Sequence, residues 1–226
     1  MLDILFGDEH LIAINKPHGL LVHRSPIAAD AEVFALQLLR DQVGQKVYPV
    51  HRIDRKTAGV LLFAFSKQVE IEMQKQFADN KVIKKYMAIL RGHTPDSGDI
   101  DYPLRKENGT LQDAFTSYKT LKRAELDVAF GKHPTSRYSL IEATPATGRM
   151  HQLRKHFAHI FHPIIGDRTH GCNKQNKLFK EKWEMNTMLL HAASLNFRHP
   201  ISDEIILIEA PLQPEFIRVL GIMGWV

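Results

Sequence analysis

His51-Arg52-Ile53-Asp54-Arg55-Lys56-Thr57-Ala58-Gly59 runs directly into Val60-Leu61-Leu62-Phe63-Ala64-Phe65, so a knot of charge abuts an unbroken apolar run. The run is short, follows a glycine and does not alternate, which reads as a buried strand rather than a helix. In front of it, the single acid Asp54 lies among Arg52, Arg55 and Lys56. Guanidinium neighbours favour the charged form of a carboxylate, as a nucleophile or base at neutral pH requires. On composition alone, a solvated loop with weak surface ion pairs accounts for the same residues.

Outward from this segment, strands and helices alternate irregularly. His10 to Ile14 is a short apolar strand closed by the turn residues Lys16-Pro17-His18-Gly19, and Leu20 to His23 resumes in strand fashion. Glu32 to Val43 and Lys67 to Asp79 carry apolar stripes at helical spacing, the second led by Val69, Met73 and Phe77. Val82 to Leu90 reads as a strand. The polar stretch from His93 to Asp113, with Pro95, Gly98, Pro103 and Gly109, reads as a connection. Phe115 to Leu121 and Arg137 to Ala143 alternate as strands, and Thr147-Gly148 opens a helix with Leu153, Phe157 and Ile160 on one side. Ala193 to Phe197 and Glu204 to Ile208 flank a turn and predict a hairpin. The pattern lacks regular βαβ spacing. It therefore predicts an α+β fold with a mixed, mostly antiparallel sheet and flanking helices, in one domain spanning 1–226.

Composition narrows the partner. Thirty Lys and Arg against 25 Asp and Glu give +5, and Arg149 to Lys182 alone holds eight cations against two acids. Concentrated positive charge suits a polyanion such as RNA. The lone Cys172 excludes an internal disulfide or a multi-cysteine zinc site. His151, His156, His159 and His162 lack the paired spacing and following Glu of zinc hydrolases, and no phosphate-cradling glycine loop is present, so neither metal nor cofactor is expected. No apolar run spans a bilayer and no leader opens the chain, which predicts a cytoplasmic protein. If helical from about Arg149, the chain places His151, Arg154, Lys155 and His159 on one basic face that matches backbone phosphates. A solvated helix face fits the same spacing.

His51-Arg52-Ile53-Asp54 with Thr57 and Gly59 resembles the catalytic motif of the RluA-type pseudouridine synthases. The resemblance extends over nearly the whole chain, through Asn15 to His23, Lys85-Tyr86-Met87-Ala88, Gly148 to Arg154, His162 to Asp167 and Leu190-His191-Ala192. It implies a catalytic fold with a central RNA cleft and isomerisation of uridine to pseudouridine in RNA, without metal or cofactor. It also implies Asp54 as the nucleophile, Arg149 as its partner, Tyr86 packed on the target uracil, and Arg52 in the gap left by the flipped base. Arg55, His151, Arg154 and Lys155 are the expected RNA contacts. Val22-His23-Arg24-Ser25 and His170-Gly171 with Gln175-Asn176 point, within the family, to uridine 65 of tRNA as target, and a monomer is expected without any motif that fixes the oligomeric state. The same chemistry on ribosomal RNA or another tRNA site is the alternative, and a non-catalytic RNA-binding or folding module is a further one. An S4-type domain before the catalytic domain is not expected. Ala58 stands where the family usually has Ser. Asp54 would attack either ribose C1′ or uracil C6, and Lys174 to Lys182 is a candidate for target selection.

Overall fold

The computed structural model describes residues 1–23 and 33–226; the expectations for Arg24, Ser25 and Glu32 lie outside the described residues. The chain forms two compact units, Met1–Lys84 with Ala192–Gln213, and Lys85–His191 with Pro214–Val226. Both are built mainly from antiparallel strand pairs, as the α+β reading predicts.

In the first unit, β1 (Asp3–Gly7), β2 (Leu11–Lys16), β4 (Ala58–Ala64) and β11 (Leu190–Arg198) are neighbours in that order, β3 (Tyr48–Pro49) lies on β4 and β12 (Ile205–Glu209) on β11. The register of β2 on β4 runs from Leu11 opposite Ala64 to Lys16 opposite Gly59. Successive side chains then fall on opposite faces, and both faces are covered. Leu11, Ala13, Val60 and Leu62 pack with Val69 and Met73 of α2 (Lys67–Ala78). Ile12, Ile14, Leu61 and Phe63 pack with Ala35 and Leu39 of α1 (Ala35–Val43). Two covered faces explain why the Val60 to Phe65 run does not alternate. Each such Leu or Ile removed from water contributes about 1.5–3 kcal/mol.

Helix boundaries have local causes. Ser66 is extended at φ −133° and its hydroxyl accepts from the Val69 amide at 3.3 Å, an N-cap that starts α2. α1 stops at Gly44, whose φ of 69° is the left-handed C-terminal conformation. Gly59 answers a close approach. At φ +107° a Cβ there would lie 2.1 Å from the Ala192 carbonyl oxygen. Gly59→Ala is expected to cost about 3 kcal/mol or more, read as a fall in the urea midpoint with an unchanged m-value.

In the second unit the order is β5 (Ile83–Arg91), β10 (Ser136–Pro145), β9 (Phe115–Leu126) and β6 (Ser97–Asp101). Ala88, Leu90, Ile141 and Ala143 form its core with Leu153 and Phe157 of α3 (Gln152–His159) and with Ile164. The stretch read as a connection is more structured than its Pro and Gly content suggests. It holds edge strand β6 and the small pair β7 (Leu104–Arg105) and β8 (Leu111–Gln112). β6 pairs with β9 so that Gly98 faces Tyr118, and a Cβ at Gly98 would meet that ring at 2.8 Å. Glycine weakens the strand signal while making room for the aromatic ring. β1, α4 (Asn173–Trp183) and α5 (Pro214–Ile222) are further elements beyond the sequence reading. Leu20 to His23 forms only the isolated bridge Leu21–Phe34. Among the described residues, no helix is long and apolar enough to cross a membrane.

Candidate active site

Asp54 sits in the turn just before β4, in the first unit. The Thr57 amide donates to the Asp54 carbonyl at 3.0 Å, closing that turn, and the Asp54 side chain is half-buried. His51 anchors the loop from behind. Its Nε2 accepts from the Leu62 amide of β4 at 3.1 Å, and its ring stacks on Phe77 with centroids 4.7 Å apart. Burial, then the Lys84 charge, pushes the His51 pKa down to about 3, against a backbone hydrogen bond at Arg52, so the ring is a neutral fastener at physiological pH.

A second fastener is Lys16, which the sequence shows only as part of a turn motif. Its side chain is completely buried, yet Nζ donates to the carbonyls of Pro17 at 3.0 Å, Leu20 at 2.8 Å and Arg55 at 3.2 Å. The Gly19 amide also donates to the Arg55 carbonyl at 2.8 Å, and Arg55 Nε returns a bond to the Gly19 carbonyl at 3.0 Å. The 16–20 turn and the Asp54 turn are therefore one bonded assembly. Burial lowers the Lys16 pKa to about 7, and the Asp54 charge acts against that drop, so Asp54 and Lys16 sense each other's charge. Part of Arg55 is thus committed to Gly19, while Arg52 is exposed.

In the second unit, Tyr86 on β5 is opposite Ala143 of β10 and is half-buried against the core. Its neighbour Lys85 pairs with Glu142 at 3.0 Å. Arg149 precedes α3 rather than lying within it, and two independent contacts hold it. Its Nε donates to the Asp113 carbonyl at 2.9 Å, and its backbone amide donates to Gln152 Oε1 at 3.0 Å. The buried Gln152 amide is fully used. Oε1 also accepts from the Thr147 hydroxyl at 2.6 Å, while Nε2 donates to the Phe115 carbonyl at 2.9 Å and Thr116 Oγ1 at 3.0 Å. Four bonds on one side chain fix the turn that presents Arg149.

The basic face expected on α3 is only partly there. Arg154 is buried, 6% exposed, and forms a two-pronged pair with Asp167, Nε to Oδ2 and Nη2 to Oδ1, each 2.8 Å. The amides of Thr169 and His170 add bonds to Asp167 Oδ1 at 2.9 and 3.2 Å. Arg154 is therefore turned inward onto Asp167 rather than displayed on the outer face that the spacing predicts. The spacing placed it outward because an acid on a neighbouring loop is invisible to periodicity. His151, at φ 56° before α3, has its Nδ1 3.0 Å from His170 Nε2. Lys155 remains partly exposed. The other clustered histidines diverge: His156 is buried between Thr116 Oγ1 and the Tyr102 carbonyl, both at 3.0 Å, His159 stacks on Tyr102, and His162 bonds the Arg91 carbonyl at 2.9 Å.

Comparison with known proteins bears on the chain as a whole. A family model described as RNA pseudouridylate synthase matches residues 10–159, which include Asp54, Tyr86 and Arg149. The chain is 44% identical to the tRNA pseudouridine synthase C of Vibrio cholerae serotype O1, covering 100% of this chain and 97% of that one. It is also 44% identical to the protein of that name from Haemophilus ducreyi, covering 99% and 96%. Among solved structures it resembles human RNA Pseudouridylate Synthase Domain Containing 4, with 25% identity and a TM-score of 0.74 over 98% of this chain and 93% of that one. Human RNA Pseudouridylate Synthase Domain Containing 1, at 20% identity and TM-score 0.73 over 100% and 96%, shares the fold. With most of its length matched by that model and its whole length by such relatives, the chain belongs to the RNA pseudouridylate synthase family.

Proposed function

We propose that this chain isomerises one uridine of tRNA to pseudouridine, at position 65, acting in the cytoplasm as a monomer with residues 1–226 working as one catalytic domain. The observation that carries the tRNA pseudouridine reading is the full-length likeness to proteins named tRNA pseudouridine synthase C. Asp54 is the nucleophile, and Tyr86 and Arg149 complete the catalytic set. Arg52, Arg55, His151 and Lys155 contact the RNA. The reaction breaks the bond from C1′ to N1, turns the uracil, and forms a bond from C1′ to C5; the proton leaving C5 is matched by one gained at N1. Atoms and electrons balance within the substrate, so no redox partner is required. A carboxylate assists by adding to C1′ or to C6, in either case to a nucleotide extruded from its stack. An aromatic face such as Tyr86 receives that base at low entropic cost.

Purified protein incubated with unmodified tRNA is expected to form one new pseudouridine, mapped by carbodiimide labelling at position 65. A product only at another tRNA position or in ribosomal RNA would reassign the target, and no product in any RNA would overturn the enzymatic reading.

Gln152 supplies a sharper test of Arg149. Gln152→Ala leaves the Arg149 amide without its partner, costing about 1–3 kcal/mol where such a group is buried and left unsatisfied, while the Phe115 carbonyl keeps its bond from the Ala146 amide at 3.0 Å. If Arg149 must be held in place, kcat is expected to fall about 100-fold at temperatures where circular dichroism shows the variant folded. A kcat equal to that of the unaltered protein would separate Arg149 placement from catalysis.

A further inference from the structure

The loop after Asp167 and the helix that follows it enclose a groove that the proposed catalytic set does not use. Its cavity is about 370 Å³, walled by Arg168 from the loop, Lys177 and Lys180 from α4, and Asn186 and Thr187 from the returning chain. Lys177 and Lys180 are three residues apart and so share one helix face. Among the described residues, no carboxylate lines the groove. Lys177 has a weak exposed pair with Glu181 at 3.5 Å, whereas Arg168 and Lys180 have no carboxylate partner among the described residues. The Thr187 hydroxyl is buried and has no hydrogen-bond partner among the described residues.

The frame beneath these cations is rigid. Gly166, at φ +83°, packs so closely that a Cβ would lie 2.0 Å from the Thr187 carbonyl oxygen. Asn176 of α4 clamps the loop, accepting from the Gly166 amide at 2.8 Å and donating to the Asp167 carbonyl at 2.7 Å. Asp167 is itself locked by Arg154. Arg168 therefore extends from a backbone fixed on both sides, and less ordering entropy opposes binding than for cations on a loose loop. The same frame reaches the start of α3, beside Arg149, through the His151–His170 contact at 3.0 Å.

We propose that this groove is a second RNA-binding site, taking the phosphodiester backbone of the substrate away from the target uridine. Resting on the reading of the chain as an RNA-modifying enzyme, it assigns the groove to grip rather than chemistry. A guanidinium fork and two ammonium groups around a cavity with no acid among its described lining residues match phosphate oxygens. The cavity is at the small end of the range for ligand sites, fit for a stretch of backbone and not for a helix.

The test is binding of unmodified tRNA across a salt series, with kinetics of pseudouridine formation alongside. Arg168→Ala with Lys180→Ala is expected to weaken binding about tenfold and to flatten the logarithmic salt dependence by about two units, near one per lost phosphate contact. KM should rise more than kcat falls. The control, Lys75→Ala with Lys81→Ala in and just after α2, removes equal charge elsewhere and is expected to change the slope less. Equal slopes for the two double variants, or no change in either, would overturn the groove. Binding of inorganic phosphate alone in the micromolar range with an unchanged tRNA slope would overturn the RNA assignment in favour of a free anion. If the double variant does not fold, Lys180→Glu on the exposed face of α4 carries the same test. Activity of the unaltered protein is scored separately: a changed slope without any pseudouridine would sink the enzymatic reading and leave the groove standing.

Discussion

Asp54→Asn is expected to abolish pseudouridine formation, by at least about 10⁴-fold as for loss of a covalent nucleophile, while the protein stays folded and still binds tRNA. The substitution keeps the size of the side chain and removes its nucleophilic oxygen. The Asp54 turn is held by bonds to main-chain atoms and by His51 and Lys16, which remain in the variant. Single-turnover assays at saturating enzyme separate this loss from weaker binding. A residual rate within about tenfold of the unaltered protein would remove Asp54 from the nucleophile's role. Intact binding and biological effect without the carboxylate would favour an RNA-folding module instead.

Arg154→Ala is expected to cost about 3–5 kcal/mol, because it strands a buried carboxylate. Asp167 is 1% exposed, and its other bonds come from two backbone amides that cannot replace a guanidinium. Thermal unfolding measures the loss. A pH arm gives the cause. Burial alone would raise the Asp167 pKa, but the hydrogen bonds and charge of Arg154, with the two amides, hold it below the ordinary aspartate value. A depressed folded pKa means that this stabilisation is present above the unfolded value and is lost as pH falls through the folded one. Asp167→Asn should therefore flatten the acid side of the stability curve. The folded fraction of Arg154→Lys should keep the salt slope of tRNA binding, unlike the Arg168 and Lys180 variants. A reduced slope would return Arg154 to the RNA surface.

Arg154 also marks where sequence stops speaking. Its outward placement followed from Leu153 and Phe157 facing in, and both do. α3 nonetheless buries Gln152, Arg154 and His156 too, since β9 and the 166–170 loop close over its other side. Polar residues satisfied by distant partners look like surface when read along the chain. Strands β2 and β4, helix α2 and the β11–β12 hairpin were legible because their signal is local: apolar period, cap and turn. β6 was not, being short, polar and broken by Gly98 for the sake of Tyr118. Nor was the job of Lys16, whose three carbonyl acceptors meet only when two turns come together. The charged cluster around Asp54 was visible from the first, but composition left it ambiguous. Order and spacing of the other motifs made the family resemblance, and with it the expectation for Asp54.

Lys16 has one more consequence. A free amine with a pKa of about 7 is a good nucleophile at neutral pH, yet this one has no exposed surface. Acylating reagents can reach it only when the 16–20 turn lifts from the turn that carries Asp54. Its labelling rate is therefore a clock for the breathing of that one loop, readable by mass spectrometry from a single residue in the otherwise native protein.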